Sequence, residues 1–206
     1  MIYGINIVNF DVFDDDRIGI VVGCGDSNSD DEFRLRGLNS LIGRNNTGKT
    51  SFINAMSFVK DTVTDNAAEA SIMRGRPGFY HLLIDKERPA VFRGFFKLKD
   101  AGNGNSQYLQ YELSVKAGVF KSPLIAAERL SRSVIDEQGR RSLETIMEFA
   151  DGKGNVMGRA ATINDHHMTA LGVYGKIAEY SEISLVYSEI NRWFFCKFSS
   201  DQQGTH

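Results

Sequence analysis

The chain has 206 residues, 42 % of them hydrophobic and 24 % charged, with a net charge of -2. That is long and apolar enough to bury a real core, and too balanced for a disordered tail or a polybasic arm. Cys24 and Cys196 stand 172 positions apart, which fits neither a metal cluster nor a disulfide framework. With no leader and no run of about eighteen apolar residues, the reading is a cytoplasmic protein with no membrane segment.

Charge is unevenly spread. Residues 11–32 hold eight acids (Asp11, Asp14, Asp15, Asp16, Asp26, Asp30, Asp31, Glu32) against Arg17, for -7, so the remainder is +5. Taken in order, Met1 to Phe10, with Ile2, Ile5, Ile7, Val8 and Phe10, predicts an opening strand. Arg17 to Gly23 predicts a second, with Asp14, Asp15 and Asp16 in a solvated turn before it, and the polar stretch Cys24 to Glu32 an exposed turn. Phe33 to Ile42 predicts a buried strand beside the first, running into Gly43.

The next eight residues are the most informative in the chain. Gly43-Arg44-Asn45-Asn46-Thr47-Gly48-Lys49-Thr50 has the form G-x-x-x-x-G-K-[ST], with Ser51 behind it. Phe52, Met56, Val59 and Val63 then repeat at helical spacing. Glycines at both ends let backbone N–H groups curl around an anion, and the helix N-terminus adds partial positive charge. Gly43, Asn45, Asn46, Thr47, Gly48, Lys49, Thr50 and Ser51 are therefore the candidate binding residues for ATP. Lys49 would neutralise the β/γ-phosphates, and the Thr50 hydroxyl, with Ser51 second, would ligate Mg²⁺.

Asp65 to Asp85 predicts helical or irregular chain. Phe92, Gly94, Phe96 and Leu98 share one face of a strand, and Leu109, Tyr111, Leu113 and Val115 one face of its hairpin partner, across the turn 100–106. Pro123 to Leu130 and Leu143 to Asp151 extend this antiparallel sheet up to a turn at 151–155. Ile183, Val186 or Tyr187, Ile190 and Phe194 predict a long helix over Glu179 to Phe198, whose apolar stripe needs further cover.

A magnesium-dependent phosphate-loop enzyme also uses an apolar strand ending in Asp, followed in ABC-type enzymes by Glu. Leu82-Leu83-Ile84-Asp85 and Val134-Ile135-Asp136-Glu137 are the two imitations, and Asp136 and Glu137 are the secondary catalytic candidates. No Leu-Ser-Gly-Gly signature and no Asn-Lys-x-Asp guanine motif occurs. Residues 74–99 carry seven bases (Arg74, Arg76, Lys86, Arg88, Arg93, Lys97, Lys99) against Asp85 and Glu87, interleaved with Phe79, Tyr80, Phe92, Phe95 and Phe96. Core aromatics with charges on a wet face are favoured there over a nucleic-acid surface. His166-His167 reads as a polar surface pair, not a metal site.

The opening strand ending Asn9-Phe10 and the run Leu41 to Met56 resemble the N-terminal part of the ABC-type "AAA family" ATPases, relatives of SMC heads, recombination protein F and the overcoming-lysogenisation-defect nucleases. Tyr108 to Val115 followed by Ala127-Glu128-Arg129-Leu130 is similar to that group's antiparallel subdomain, and Trp193 to Phe198 to the element before its helical insertion. The resemblance implies an α/β P-loop NTPase core lobe (1–65) with an appended antiparallel β subdomain (89–157) and a long C-terminal helix (179–198). It further implies ATP and Mg²⁺ as cofactors, and a second ATPase head or C-terminal half as partner in a homodimer or larger assembly. DNA is the implied target, in repair or phage defence. The family's signature, second acidic strand and switch histidine lie C-terminal to the stretch matched here, so hydrolysis is expected only after completion. A small P-loop kinase and a non-catalytic nucleotide-gated binding module are the alternatives.

Overall fold

The computed structural model describes residues 1–19, 35, 37–42, 44, 47–99, 106–135, 138 and 140–196, with the backbone alone at Arg141. Eight strands form one sheet: β1 (Ile2–Phe10), β2 (Phe13–Gly19), β3 (Ala90–Lys99), β4 (Ser106–Ala117), β5 (Pro123–Ile135), β6 (Arg141–Ala150), β7 (Lys153–Val156) and β8 (Arg159–Thr162). Their order is β2-β1-β3-β4-β5-β6-β7-β8, and every neighbouring pair is antiparallel. The helices are α1 (Lys49–Thr64), α2 (Ala67–Ile72), α3 (Phe79–Leu82), α4 (Ala170–Tyr174) and α5 (Ser181–Asn191).

The two faces of the sheet follow from strand alternation. One row across it runs Ile7, Phe92, Leu113, Glu128, Phe149, and apart from Glu128 it is apolar and buried under the helices. Phe58 of α1 packs there between Phe10 (ring centroids 5.3 Å apart), Phe92 (5.7 Å) and Phe79 (5.5 Å). The adjacent row, facing the other way, runs Asn6, Arg93, Glu112, Arg129, Glu148. Arg93 donates to Asn6 Oδ1 at 2.8 Å and pairs with Glu112, and Arg129 donates to Glu148 at 3.1 Å. Alternating charge lets each side chain find a partner on the next strand, which keeps this face wet and the register fixed.

This architecture overturns the expected α/β P-loop core lobe with its separate β subdomain. β1, β3 and β4 belong to a single antiparallel sheet, and no parallel pair occurs among the described residues. The predicted loop-bearing strand is absent from residues 35, 37–42 and 44: none of them is a strand, and Leu38 and Ile42 are 90 % and 92 % exposed. The place beside β1 is taken instead by β2, which returns through the two-residue turn Asp11-Val12. A hairpin closes that edge at short range, whereas a parallel neighbour needs a long crossover. Asp14, Asp15 and Asp16 are accordingly exposed residues of an edge strand, not of a turn.

The C-terminal helix is also shorter than its apolar pattern suggested: α5 covers eleven residues, and 193–196 are irregular. Ile183, Val186 and Ile190, expected to need outside cover, are fully buried against the rest of the chain. Trp193 stacks on Phe96 with centroids 6.4 Å apart, while Phe194 is exposed. Among the described residues no helix is long and apolar enough to cross a membrane.

Candidate phosphate-binding site

Thr47, Gly48, Lys49, Thr50 and Ser51 are described; Gly43, Asn45 and Asn46 lie outside the described residues, as do Asp136 and Glu137. Gly48 sits at the N-cap of α1 with φ 79° and ψ 2°, a left-handed conformation in which glycine carries no steric penalty. The helix starts at once, with Phe52 N–H donating to Gly48 O at 2.8 Å. No acid stands in its first turn. This end of α1 is the positive end of a sixteen-residue dipole, which favours an anion.

The side chains gather on the same end. Thr47 Oγ1 donates to Arg44 O at 2.9 Å, and Lys49 Nζ donates to Arg44 O and, at 3.2 Å, to Thr47 Oγ1. The ammonium thus lies folded over the loop, on oxygens that a phosphate would displace. Thr50 is exposed on the first turn and offers a hard oxygen donor, which suits Mg²⁺.

The neighbour of this site is the β1–β2 turn. A Cβ built on Gly48 would lie 3.6 Å from Val12 Cγ2. The turn is clamped from behind. Asp11 N–H donates to Leu82 O at 2.6 Å, and the fully buried Asn9 donates to Asp85 O (2.9 Å) and Arg88 O (2.7 Å) and accepts from Asp85 N–H (2.7 Å). Asp85 itself lies in the bend at 84–88 that leads into β3, its carboxylate accepting from Glu87 N–H at 3.0 Å, so Leu82 to Asp85 is not an acid-tipped strand. Ile135, the last described residue before Asp136, ends β5 at the opposite end of the sheet from the β1–β2 turn.

Two buried polar centres were not singled out from sequence. Glu128, 2 % exposed, accepts from Leu171 N–H (2.7 Å), Ala170 N–H and Tyr111 Oη (2.9 Å), joining β5 to α4 and β4. Burial pushes its carboxyl up to about 7, against the pull of those three donors, and holds the Tyr111 hydroxyl well above its usual value. The signal was present: in a strand, Glu128 shares the face of Leu130, a fully buried residue. The second centre is Asp61 in α1, which accepts from Arg74 Nε (2.8 Å) and Arg76 (2.9 Å), with Arg76 also donating to Ser57 Oγ (2.7 Å). Burial raises the Asp61 carboxyl, but the two arginines outweigh it and leave it below the usual carboxylate range.

Arg74, Arg76 and Arg93 of the basic stretch are thus held in ion pairs, and Phe79, Phe92 and Phe96 are core. His167 Nδ1 lies 2.7 Å from Pro123 O, fixed within the fold. Among the described residues no group of three or more His, Cys, Asp or Glu forms a metal cluster.

Comparison of the chain with protein-family models, with curated proteins and with solved structures returns no match.

Proposed function

We propose that this protein binds a nucleoside triphosphate, ATP, with Mg²⁺, through Gly43 and Asn45 to Ser51. The observation that carries the reading is the start of α1: a left-handed Gly48, a first turn without an acid and the Lys49 ammonium laid on the loop's own oxygens. Those features put positive potential at one point, as an anion requires. The triphosphate would draw Lys49 from Arg44 O and Thr47 Oγ1, and Thr50 would face the cation.

The wider role belongs to the same proposal and rests on the motif rather than the sheet. ATP binding would be coupled to action on DNA, with a second head or a C-terminal half supplying the groups that activate water. The phosphate loop would work here without the mixed α/β core that the resemblance implied.

Calorimetry tests the binding step. ATP with Mg²⁺ should bind the chain, and Lys49→Ala should weaken that binding roughly tenfold to a hundredfold, the loss of one charge-assisted bond to phosphate. The Lys49→Ala fold should melt as the wild type does. Unchanged affinity in the folded variant would remove the assignment.

A further inference from the structure

Core packing and ion pairs do not use up the basic, aromatic stretch 74–99. Tyr80 and Lys86 remain partly exposed, and the fold brings them to the turn between β4 and β5, residues 118–122. Lys86 Nζ lies 5.3 Å from the centroid of the Tyr80 ring and Lys121 Nζ 4.6 Å from it. Two ammonium groups thus converge on one ring, and neither meets a carboxylate among the described residues. The ring face relieves their repulsion only in part, whereas an anion beside both would relieve it fully.

Next to Lys121 stands Phe120, 96 % exposed, with Val119 exposed before it. The turn is fixed by Gly118 N–H donating to Ser122 O at 2.7 Å and by Lys121 N–H donating to Gly118 O at 3.1 Å. The second bond closes a four-residue turn in which Phe120 is third. Its φ of 61° and ψ of 22° are values that glycine or asparagine ordinarily supplies at that place. Among the described non-glycine residues with positive φ it is the only aromatic. Phenylalanine here gives up both backbone ease and burial, and a ring so exposed recovers neither within the fold. Both costs are offset when the ring stacks on a ligand.

We propose that this turn and Tyr80 form a contact site for single-stranded nucleic acid, with a base stacked on Phe120 and backbone phosphates held by Lys86 and Lys121. The assignment deepens the DNA part of the reading above, but a different surface carries it, so it does not depend on ATP binding at α1. A single strand offers unstacked base faces together with phosphates, which is what a free ring beside two ammonium groups fits. A membrane fits less well. Across the sheet Asp15 pairs with Val8, Val8 with Val91 and Val91 with Ser114, so the exposed acids Asp14 to Asp16 lie at the same end as the turn. Three strand spacings, roughly 15 Å, separate them. A flat anionic surface would meet those acids too, whereas a strand one nucleotide wide passes them by.

Fluorescence anisotropy on the full chain tests this, without ATP and at low salt, using a labelled oligothymidylate of about 20 nucleotides, long enough for one site. The wild type should bind it. Phe120→Gly should weaken binding about fivefold to a hundredfold, the worth of one stacked base. Its melting temperature should stay at or above that of the wild type, because glycine relieves the positive φ. Phe120→Tyr keeps a ring and should bind as the wild type does. Lys86→Gln combined with Lys121→Gln should reduce the slope of log affinity against log salt by about 1.4, the loss of two phosphate contacts to a single strand.

Wild-type affinity in Phe120→Gly would overturn the assignment, and so would a wild-type chain that binds phosphatidylserine vesicles in preference to the oligonucleotide. A fallen melting temperature in Phe120→Gly would make the ring structural, with the same consequence. Calorimetry with ATP and Mg²⁺ on the same preparation keeps the two readings apart. ATP binding without oligonucleotide binding removes this site and leaves the loop, and oligonucleotide binding without ATP binding does the converse.

Discussion

Glu128 and Asp61 are both buried carboxylates, yet their surroundings drive them in opposite directions. Glu128 is held by neutral donors only, so its burial dominates and its pKa stands near 7 in the folded chain. Between the ordinary carboxylate value and about 7 the folded state therefore binds more protons than the unfolded state. Stability falls as pH rises through that window, by an amount on the order of 3 kcal/mol for a shift of this size. Denaturant titrations from pH 5 to 8 should show the decline, and Glu128→Gln, which does not titrate, should flatten it even though one backbone donor then loses its acceptor.

Asp61 faces two guanidinium groups, and its folded pKa is depressed. Its stabilisation is fully present above the unfolded carboxylate value and is lost as pH falls through the folded one. Asp61→Asn leaves Arg76 buried without its counter-charge, so a loss of about 3–5 kcal/mol is expected in equilibrium unfolding at neutral pH. The acid limb of the stability profile below about pH 4 should shrink in the same variant.

At the scale of elements, the start of α1 depends on one backbone conformation. Gly48 needs φ 79°, and among the described residues its Cβ position meets Val12 at ordinary contact distance without a clash. Gly48→Ala should therefore destabilise the chain by only about 1 kcal/mol, the cost of a left-handed alanine without a clash. Phosphate affinity should drop more than stability does, because any relaxation of the residue toward negative φ turns the first N–H groups away from the anion. Thermal melting beside ATP calorimetry on this variant separates the two effects. The β1–β2 hairpin matters at the same scale, since it occupies the edge where a loop-bearing strand would pair.

For the molecule as a whole, one antiparallel sheet with helices on one face and a charge ladder on the other predicts where the structure opens. β3, β4 and β5 lie at the centre, paired on both sides and with Phe92, Leu113 and Leu130 buried, so their amides should exchange with solvent only on global unfolding. β7 and β8, four residues each at the far edge, should exchange orders of magnitude faster by local opening. Hydrogen-exchange mass spectrometry reads both, and equal protection of β4 and β8 would contradict this ranking. Burial of Ile183, Val186 and Ile190 also removes the exposed helical stripe that would have driven self-association. Any dimer should thus form through other surfaces, and sedimentation with and without ATP tests it.

The sequence by itself determined the local features: the G-x-x-x-x-G-K-T loop opening a helix at Lys49, the alternating strands around Phe92 and Tyr111, and the core positions of the aromatic residues. These depend on periodicity and on glycine, which act over a few residues. The placing of Glu128 on the apolar face was legible in the same way, from its spacing to Leu130. Tertiary packing set the rest: β2 takes the edge of β1, Leu38 to Ile42 form no strand, and Val12 lies beside Gly48. Strand partners are chosen by the free energy of closing loops and covering faces across the whole chain. Two residues in one short motif carry no record of that competition.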